Sequence, residues 1–345
     1  MAFTDDASKL ANFLDKNIYE RLTGVSDVYE AANLHKQYWL SNEALSFVND
    51  SECDNRQTKL EEILSENIFV SQGISLWNER CRKNDEYINF QWNNFSNLVD
   101  SYIVGLSQVL GCSDTSFYKK VIPIKQAVAL LRKYYSDCDL EGLSIFNYMF
   151  KKDRIILFNN NDDFNSLALL GSNLKECFIM LNTLNQKYIY ISKIIYLVHE
   201  VEHIKWYIKC CCNITEEEKF RITNFNGYSE LNTHIVERKF IEYLIKNTEF
   251  SKEGRELLLD FYRTINSFCN CIKNQSSKNY NDLGPYIYAS YFSDLLLEMN
   301  GYDYDVSLEN SYNLLKQGSF PSFDIVLDKD RMTKVLRRQY EKIVE

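Results

Sequence analysis

Two histidines four residues apart, His199 and His203, most constrain the local fold of this 345-residue chain. They lie in the apolar stretch IIYLVHEVEHIKWYI, with Glu200 directly after the first of them. On an α-helix, residues i and i+4 project from the same face, so both imidazoles can bind one metal ion only if this stretch is helical. The spacing therefore predicts a helix from about Ser192 to about Cys210 that presents a metal site.

The His-Glu-x-x-His pattern also indicates a particular chemistry. In zinc-dependent peptidases that use it, the two histidines bind zinc and the intervening glutamate accepts a proton from the metal-activated water. The sequence therefore predicts Zn²⁺ as the cofactor, with His199 and His203 as ligands and Glu200 as the general base. Four histidines in 345 residues make a chance match rare. The alternative interpretation is a helix whose two surface histidines have no function.

A catalytic zinc site needs a third protein ligand and an open position for water, and two histidines with one glutamate are a known set. The downstream segment GYSELNTHIVER offers Glu230, Asn232, His234 and Glu237 as candidates. Positions 230, 234 and 237 share one helical face because they are spaced i, i+4 and i+7. Spacing alone leaves Glu230, Glu237 and His234 open as the third ligand.

Taken together, HEVEH and the stretch from Glu230 to His234 resemble the two metal-binding elements of zincin metallopeptidases of the gluzincin type. The layout is similar to that of ImmA/IrrE-like peptidases and of Lit-type phage-exclusion peptidases. The resemblance implies that Glu230 is the third ligand beside the two histidines. It also implies a zincin-like catalytic domain that acts on a protein or peptide.

Two positions depart from the pattern of these families. Asn232 stands where they usually carry aspartate, and Glu202 stands where they carry a small residue. An amide at 232 can still orient a ligating histidine by a hydrogen bond, as aspartate does elsewhere.

The remaining sequence predicts a mainly α fold. The chain has 11 glycines and 3 prolines, so few residues interrupt a helix. Apolar residues recur at three- and four-residue steps, as in Leu60, Ile63, Leu64 and Ile68. We expect a helical N-terminal region over residues 1–140 and a zincin-like metallopeptidase domain with a small β element over residues 141–345.

The β element is predicted just before the motif. LSIFNYMF and IILFNNNDDF are rich in β-branched and aromatic residues around a polar KKDR, which indicates a hairpin. KYIYI, ending at Ile191, is a candidate for a further short strand. The alternative is one long helix from about Asn173 to Cys212.

The net charge and the cysteine content indicate which classes of partner and which cellular compartment to expect. A net charge of −9 argues against nucleic acid as a partner, since nucleic-acid binders normally present a basic face. The apolar stretch around HEVEH is interrupted by charges and does not predict a membrane span. Ten cysteines without a secretory signal predict reduced thiols in a cytosol, either the cell's own or that of a host reached by a delivered effector.

These features predict a zinc-dependent metalloprotease that hydrolyses a peptide bond in a cytosolic protein, such as a bacterial effector or a phage-exclusion type regulatory protease. One alternative is a non-catalytic helical interaction protein with a chance or structural metal motif. Another keeps the zinc chemistry and acts on a non-peptide amide or ester.

Overall fold

The computed structural model describes residues 85–111, 120–152, 154–158, 166–169, 174, 177–183, 187–211, 226–275, 280–316 and 326–345. Predictions for residues 1–84, which form most of the expected N-terminal region, lie outside these ranges. Within them the fold is mainly α with small β elements, which confirms the predicted fold class. The predicted division after residue 140 stays a prediction.

The described helices are α1 (Asp85–Leu110), α2 (Ile124–Cys138), α3 (Leu140–Lys151), α4 (Ile191–Cys211), α5 (Asn226–Asn247), α6 (Ser251–Gln275), α7 (Tyr280–Met299), α8 (Tyr304–Lys316) and α9 (Lys329–Val344). The described strands are β1 (Val121–Pro123), β2 (Ile155–Phe158), β3 (Ser166–Leu169), β4 (Phe178–Asn182) and β5 (Tyr188–Tyr190). None of the described helices is both long and apolar enough to cross a membrane.

The chain divides into two compact units, and the first holds α2 to α4 and the five described strands. A three-stranded sheet has the order β2-β4-β3, with β2 parallel and β3 antiparallel to β4. A separate ribbon pairs β1 with β5, and Ile122 lies opposite Ile189. Helix α4 follows β5 directly and packs against β3, β4 and α3, so the sheet supports the helix that carries HEVEH.

The structure corrects the expected hairpin in this unit and confirms the expected strand before the motif. LSIFNYMF is not a strand, because it lies in α3, where the Asp139 side chain caps the first turn and Ile145, Phe146 and Met149 are buried. The partner of β2 is β4 and not a hairpin neighbour. KYIYI forms β5 as expected, so the alternative of one continuous helix through this region is also wrong.

The second unit contains α1 and α5 to α9. Helix α5 packs against α6, α7 and α8, while α1 packs against α6 and α9. Residues 230–238 of α5 are buried without interruption. A helix that is buried all round needs partners for its polar side chains, and α7 and α8 supply them for Arg238 and Asn232.

Candidate metal centre

The HEVEH motif lies in the middle of α4, as its spacing predicts. The helix runs from Ile191 to Cys211, one residue longer at each end than expected. Residues 200–207 are all buried, and His199 is half-buried. Glu200 is 4% exposed and His203 is 9% exposed, so the motif is not a pair of surface histidines on a solvated helix.

The two histidine side chains converge on one point. Their Nε2 atoms are 2.8 Å apart, and the ring planes are inclined at 79°. Two nitrogens that each bind zinc at 2.0–2.1 Å in a tetrahedral site lie roughly 3.3 Å apart. The observed separation is therefore close to that of two ligands of one ion, and a small outward rotation of the rings would match it.

Glu200 lies between these histidines in sequence and has a contact of its own. Ser166, the first residue of β3, donates a hydrogen bond from Oγ to Glu200 Oε1 at 2.6 Å. This distance is within the normal range for a hydrogen bond from a hydroxyl group to an oxygen atom. No sequence motif marks Ser166, because the contact joins residues 34 positions apart.

Glu230 is on α5 and is 9% exposed. Thr233 Oγ1 lies 3.3 Å from Glu230 Oε2 and 2.9 Å from the Glu230 carbonyl oxygen, and it can donate to either. Ligating carboxylates are usually held by such additional hydrogen bonds. Within α5, Thr233 is therefore a donor within reach of the Glu230 side chain.

His199, His203 and Glu230 form a candidate group of metal-binding side chains, with the two histidines in the first unit and the glutamate in the second. Two imidazoles and one carboxylate are a donor set that zinc uses. The described residues contain no second group of three such side chains that could hold a metal ion. Since Glu230 is buried, its position here is not that of an ordinary surface carboxylate.

The alternative third ligands are buried on α5 but are not members of this group. The His234 ring packs edge-on against Phe261, with 5.2 Å between the ring centroids. Glu237 is 5% exposed. Asn232 accepts a hydrogen bond from Ser311 of α8 at its carboxamide oxygen, so this side chain links two helices of the second unit.

Glu202, the unusual charge inside HEVEH, has a structural role. Its Oε2 lies 3.2 Å from Lys205 Nζ, which also lies 2.7 Å from Asp139 Oδ2. Burial alone would lower the pKa of Lys205, but the adjacent carboxylates of Glu202 and Asp139 raise it above its ordinary value. The lysine is therefore charged, and Glu202 belongs to a buried ion-pair cluster.

Comparisons with known proteins give one structural similarity. No protein-family model matches the sequence, and no curated protein matches it. Among solved structures, the fold is similar to a crystal structure provisionally described as an oligoendopeptidase F, from Bacillus anthracis str. Ames, with a TM-score of 0.46 and 14% identity. The match covers 83% of this chain and 59% of that chain.

Proposed function

We propose that this chain is a zinc-dependent metallopeptidase in which His199, His203 and Glu230 bind the metal ion and Glu200 is the general base. The observation that carries the proposal is the 2.8 Å approach of the two Nε2 atoms on α4, beside a carboxylate that is 4% exposed. Two imidazole nitrogens this close together are a donor pair that one zinc ion can bind.

The residues divide into binding and proton-transfer roles. When bound, zinc acts as a Lewis acid that polarises a substrate carbonyl and lowers the pKa of a water molecule. Glu200 accepts the proton of the attacking water and later donates it to the leaving amine. Because Ser166 occupies Oε1, Glu200 has Oε2 for this transfer.

The proposed substrate is a peptide bond in a cytosolic protein, cut by a regulatory or delivered protease. The net charge of −9 disfavours nucleic acid as the substrate. We propose a protein or peptide as the substrate because His-Glu-x-x-His is the zinc-binding pattern of metalloproteases.

Metal analysis tests the ligand assignment. Purified chain saturated with zinc and then dialysed should retain one zinc ion per chain, and the His203→Ala variant should retain almost none. His35→Ala, which changes the one histidine outside the segment from 199 to 234, is the matched control and should bind zinc like the wild type. Equal zinc in His203→Ala and wild type would overturn the assignment.

Cleavage analysis tests the reaction. Incubation of wild type with a cytosolic proteome should generate new protein N-termini, and the isosteric Glu200→Gln variant should generate none while it still binds zinc. A zinc-loaded wild type that creates no new N-termini would remove the peptidase proposal. Hydrolysis of simple amide or ester substrates by that protein would then favour the non-peptide alternative.

A further inference from the structure

A hydroxyl group contacts the proposed general base from outside its own helix. Ser166 opens β3, an edge strand of the three-stranded sheet, and its Oγ donates to Glu200 Oε1 at 2.6 Å. Helix α4 packs directly on β3. The bond therefore connects the sheet to the catalytic part of the helix within one compact unit.

The burial of Glu200 makes this contact energetically significant. The side chain is 4% exposed, and in the described part of the chain the hydrogen bond from Ser166 is the one that its carboxylate accepts. A buried carboxylate with few hydrogen bonds depends strongly on each of them, because a side chain with so little contact with bulk solvent cannot easily replace a lost donor.

The geometry also limits how the carboxylate can rotate. The terminal torsion of a glutamate side chain is broad and weakly restricted by itself. A short bond to Oε1 removes that freedom and leaves the second oxygen in a defined direction. General-base catalysis depends on the direction of this oxygen, because the base must lie within hydrogen-bond reach of the proton that it removes.

We infer that Ser166 is a positioning residue for Glu200: its hydroxyl holds one carboxylate oxygen so that the other is aimed at the water to be deprotonated. This inference rests on the proposed peptidase function. Ser166 itself touches neither the substrate nor the reacting atoms. Its contribution should therefore appear in the rate of the chemical step and not in substrate or metal binding.

Kinetics of three variants test the role. Ser166→Ala should lower kcat about 10- to 100-fold, the range seen when hydrogen bonds that orient an active-site group are removed. KM and zinc content should stay at wild-type values. Ser166→Thr keeps the hydroxyl and should recover most of kcat, whereas Ser144→Ala, an exposed serine on α3, should have no effect.

If the hydrogen bond from Ser166 to Glu200 only stabilised the fold, the kinetics of Ser166→Ala would differ from this expectation. In that case Ser166→Ala would reduce stability while the kcat of the folded fraction stayed at the wild-type value, and the inference would be wrong. An equal loss of kcat in Ser166→Thr would also overturn it, because a threonine hydroxyl can make the same bond.

A measurement on the metal-free protein separates this inference from the function on which it rests. In a double-mutant cycle of Ser166→Ala and Glu200→Ala, the unfolding equilibrium constants should be non-additive by about tenfold or more, as expected for a hydrogen bond to a charged group. Additive effects would show that the contact is absent, whether or not the protein is a peptidase. Strong coupling without any peptidase activity would instead overturn the proposed function and with it the positioning role.

Discussion

Glu202 and Lys205 form a buried ion pair one turn apart on α4, with 3.2 Å between Oε2 and Nζ. Lys205 Nζ also pairs with Oδ2 of Asp139. The other carboxylate oxygen, Asp139 Oδ1, accepts a hydrogen bond from the backbone N–H of Gly142 at the start of α3. One cluster of charges thus joins the helix of HEVEH to the first turn of α3. Glu202, which departs from the pattern of the peptidases that the motif resembles, therefore helps to hold α4 against α3 and is not a competing ligand.

Loss of Lys205 should destabilise the fold strongly. Lys205→Met leaves the buried carboxylate of Glu202 and the half-buried carboxylate of Asp139 without their cation, which costs about 3 to 5 kcal/mol in the free energy of unfolding. Lys209→Met is the matched control. Lys209 pairs with Glu141 on the surface, so its loss should cost less than about 1 kcal/mol. Urea unfolding measures both, and similar losses in the two variants would contradict the buried cluster.

Gly142 should not tolerate a methyl group. A Cβ at this position would lie 2.5 Å from Asp139 Oδ2 and 2.7 Å from the Tyr135 ring, so the cap and its bond to Lys205 must shift. Gly142→Ala is expected to lower the free energy of unfolding by about 1 to 3 kcal/mol. Thermal unfolding monitored by circular dichroism tests this, and an unchanged midpoint would mean that Asp139 has room to move.

The sequence predicted those features that depend on residues close together in the chain. The pairing of His199 with His203 follows from helical spacing alone, and α4 has nearly the expected bounds. LSIFNYMF forms a helix although its β-branched and aromatic residues favour a strand. The N-terminal cap and the burial of one helical face stabilise the helix by more than the strand preference of these residues. Ser166 could not be predicted, since its contact with Glu200 depends on how the sheet packs on the helix.

Alkaline pH should destabilise the protein through its buried tyrosines. Burial, together with the charges of Asp139 and Glu202, raises the pKa of Tyr135 well above its ordinary value of 10.0. Above that pH the unfolded chain releases a phenolic proton that the folded protein keeps, so the free energy of unfolding falls as pH rises. Each such tyrosine contributes at most about 1.4 kcal/mol per pH unit.

The Tyr135→Phe variant isolates this contribution. The Tyr135 hydroxyl is buried without a hydrogen-bond partner among the described residues, so its removal should not destabilise the protein at neutral pH. Above pH 10 the decline in stability should be less steep than in wild type. Tyr188→Phe, at a tyrosine that is 45% exposed, should leave the decline unchanged. Identical slopes in wild type and Tyr135→Phe would refute the assignment.

The helix that carries Glu230 is held by a second buried ion pair. Arg238 Nη2 lies 2.6 Å from Asp294 Oδ1, both side chains are inaccessible, and Tyr102 donates a hydrogen bond to the same aspartate. Arg238→Met should cost about 3 to 5 kcal/mol because it leaves the Asp294 charge unpaired. Adding Asp294→Leu should restore much of that loss in urea unfolding. A double variant as unstable as the sum of the single ones would show that the pair does not act as a unit.

Zinc affinity should distinguish Glu230 from its neighbour two turns along α5. In Glu230→Gln the neutral amide is a poor zinc ligand although it keeps the shape of the side chain, so the affinity should fall at least about tenfold. Glu237→Gln is the matched control: Glu237 is equally buried but outside the three-residue group, and its affinity should equal that of wild type. Competition with a chromophoric chelator measures both constants. Because zinc at 100 times its dissociation constant stabilises a folded protein by about 2.7 kcal/mol, the loss should also appear as a smaller zinc-dependent rise in Tm. If Glu237→Gln weakens binding and Glu230→Gln does not, the third ligand is Glu237, and the peptidase proposal remains with a corrected site.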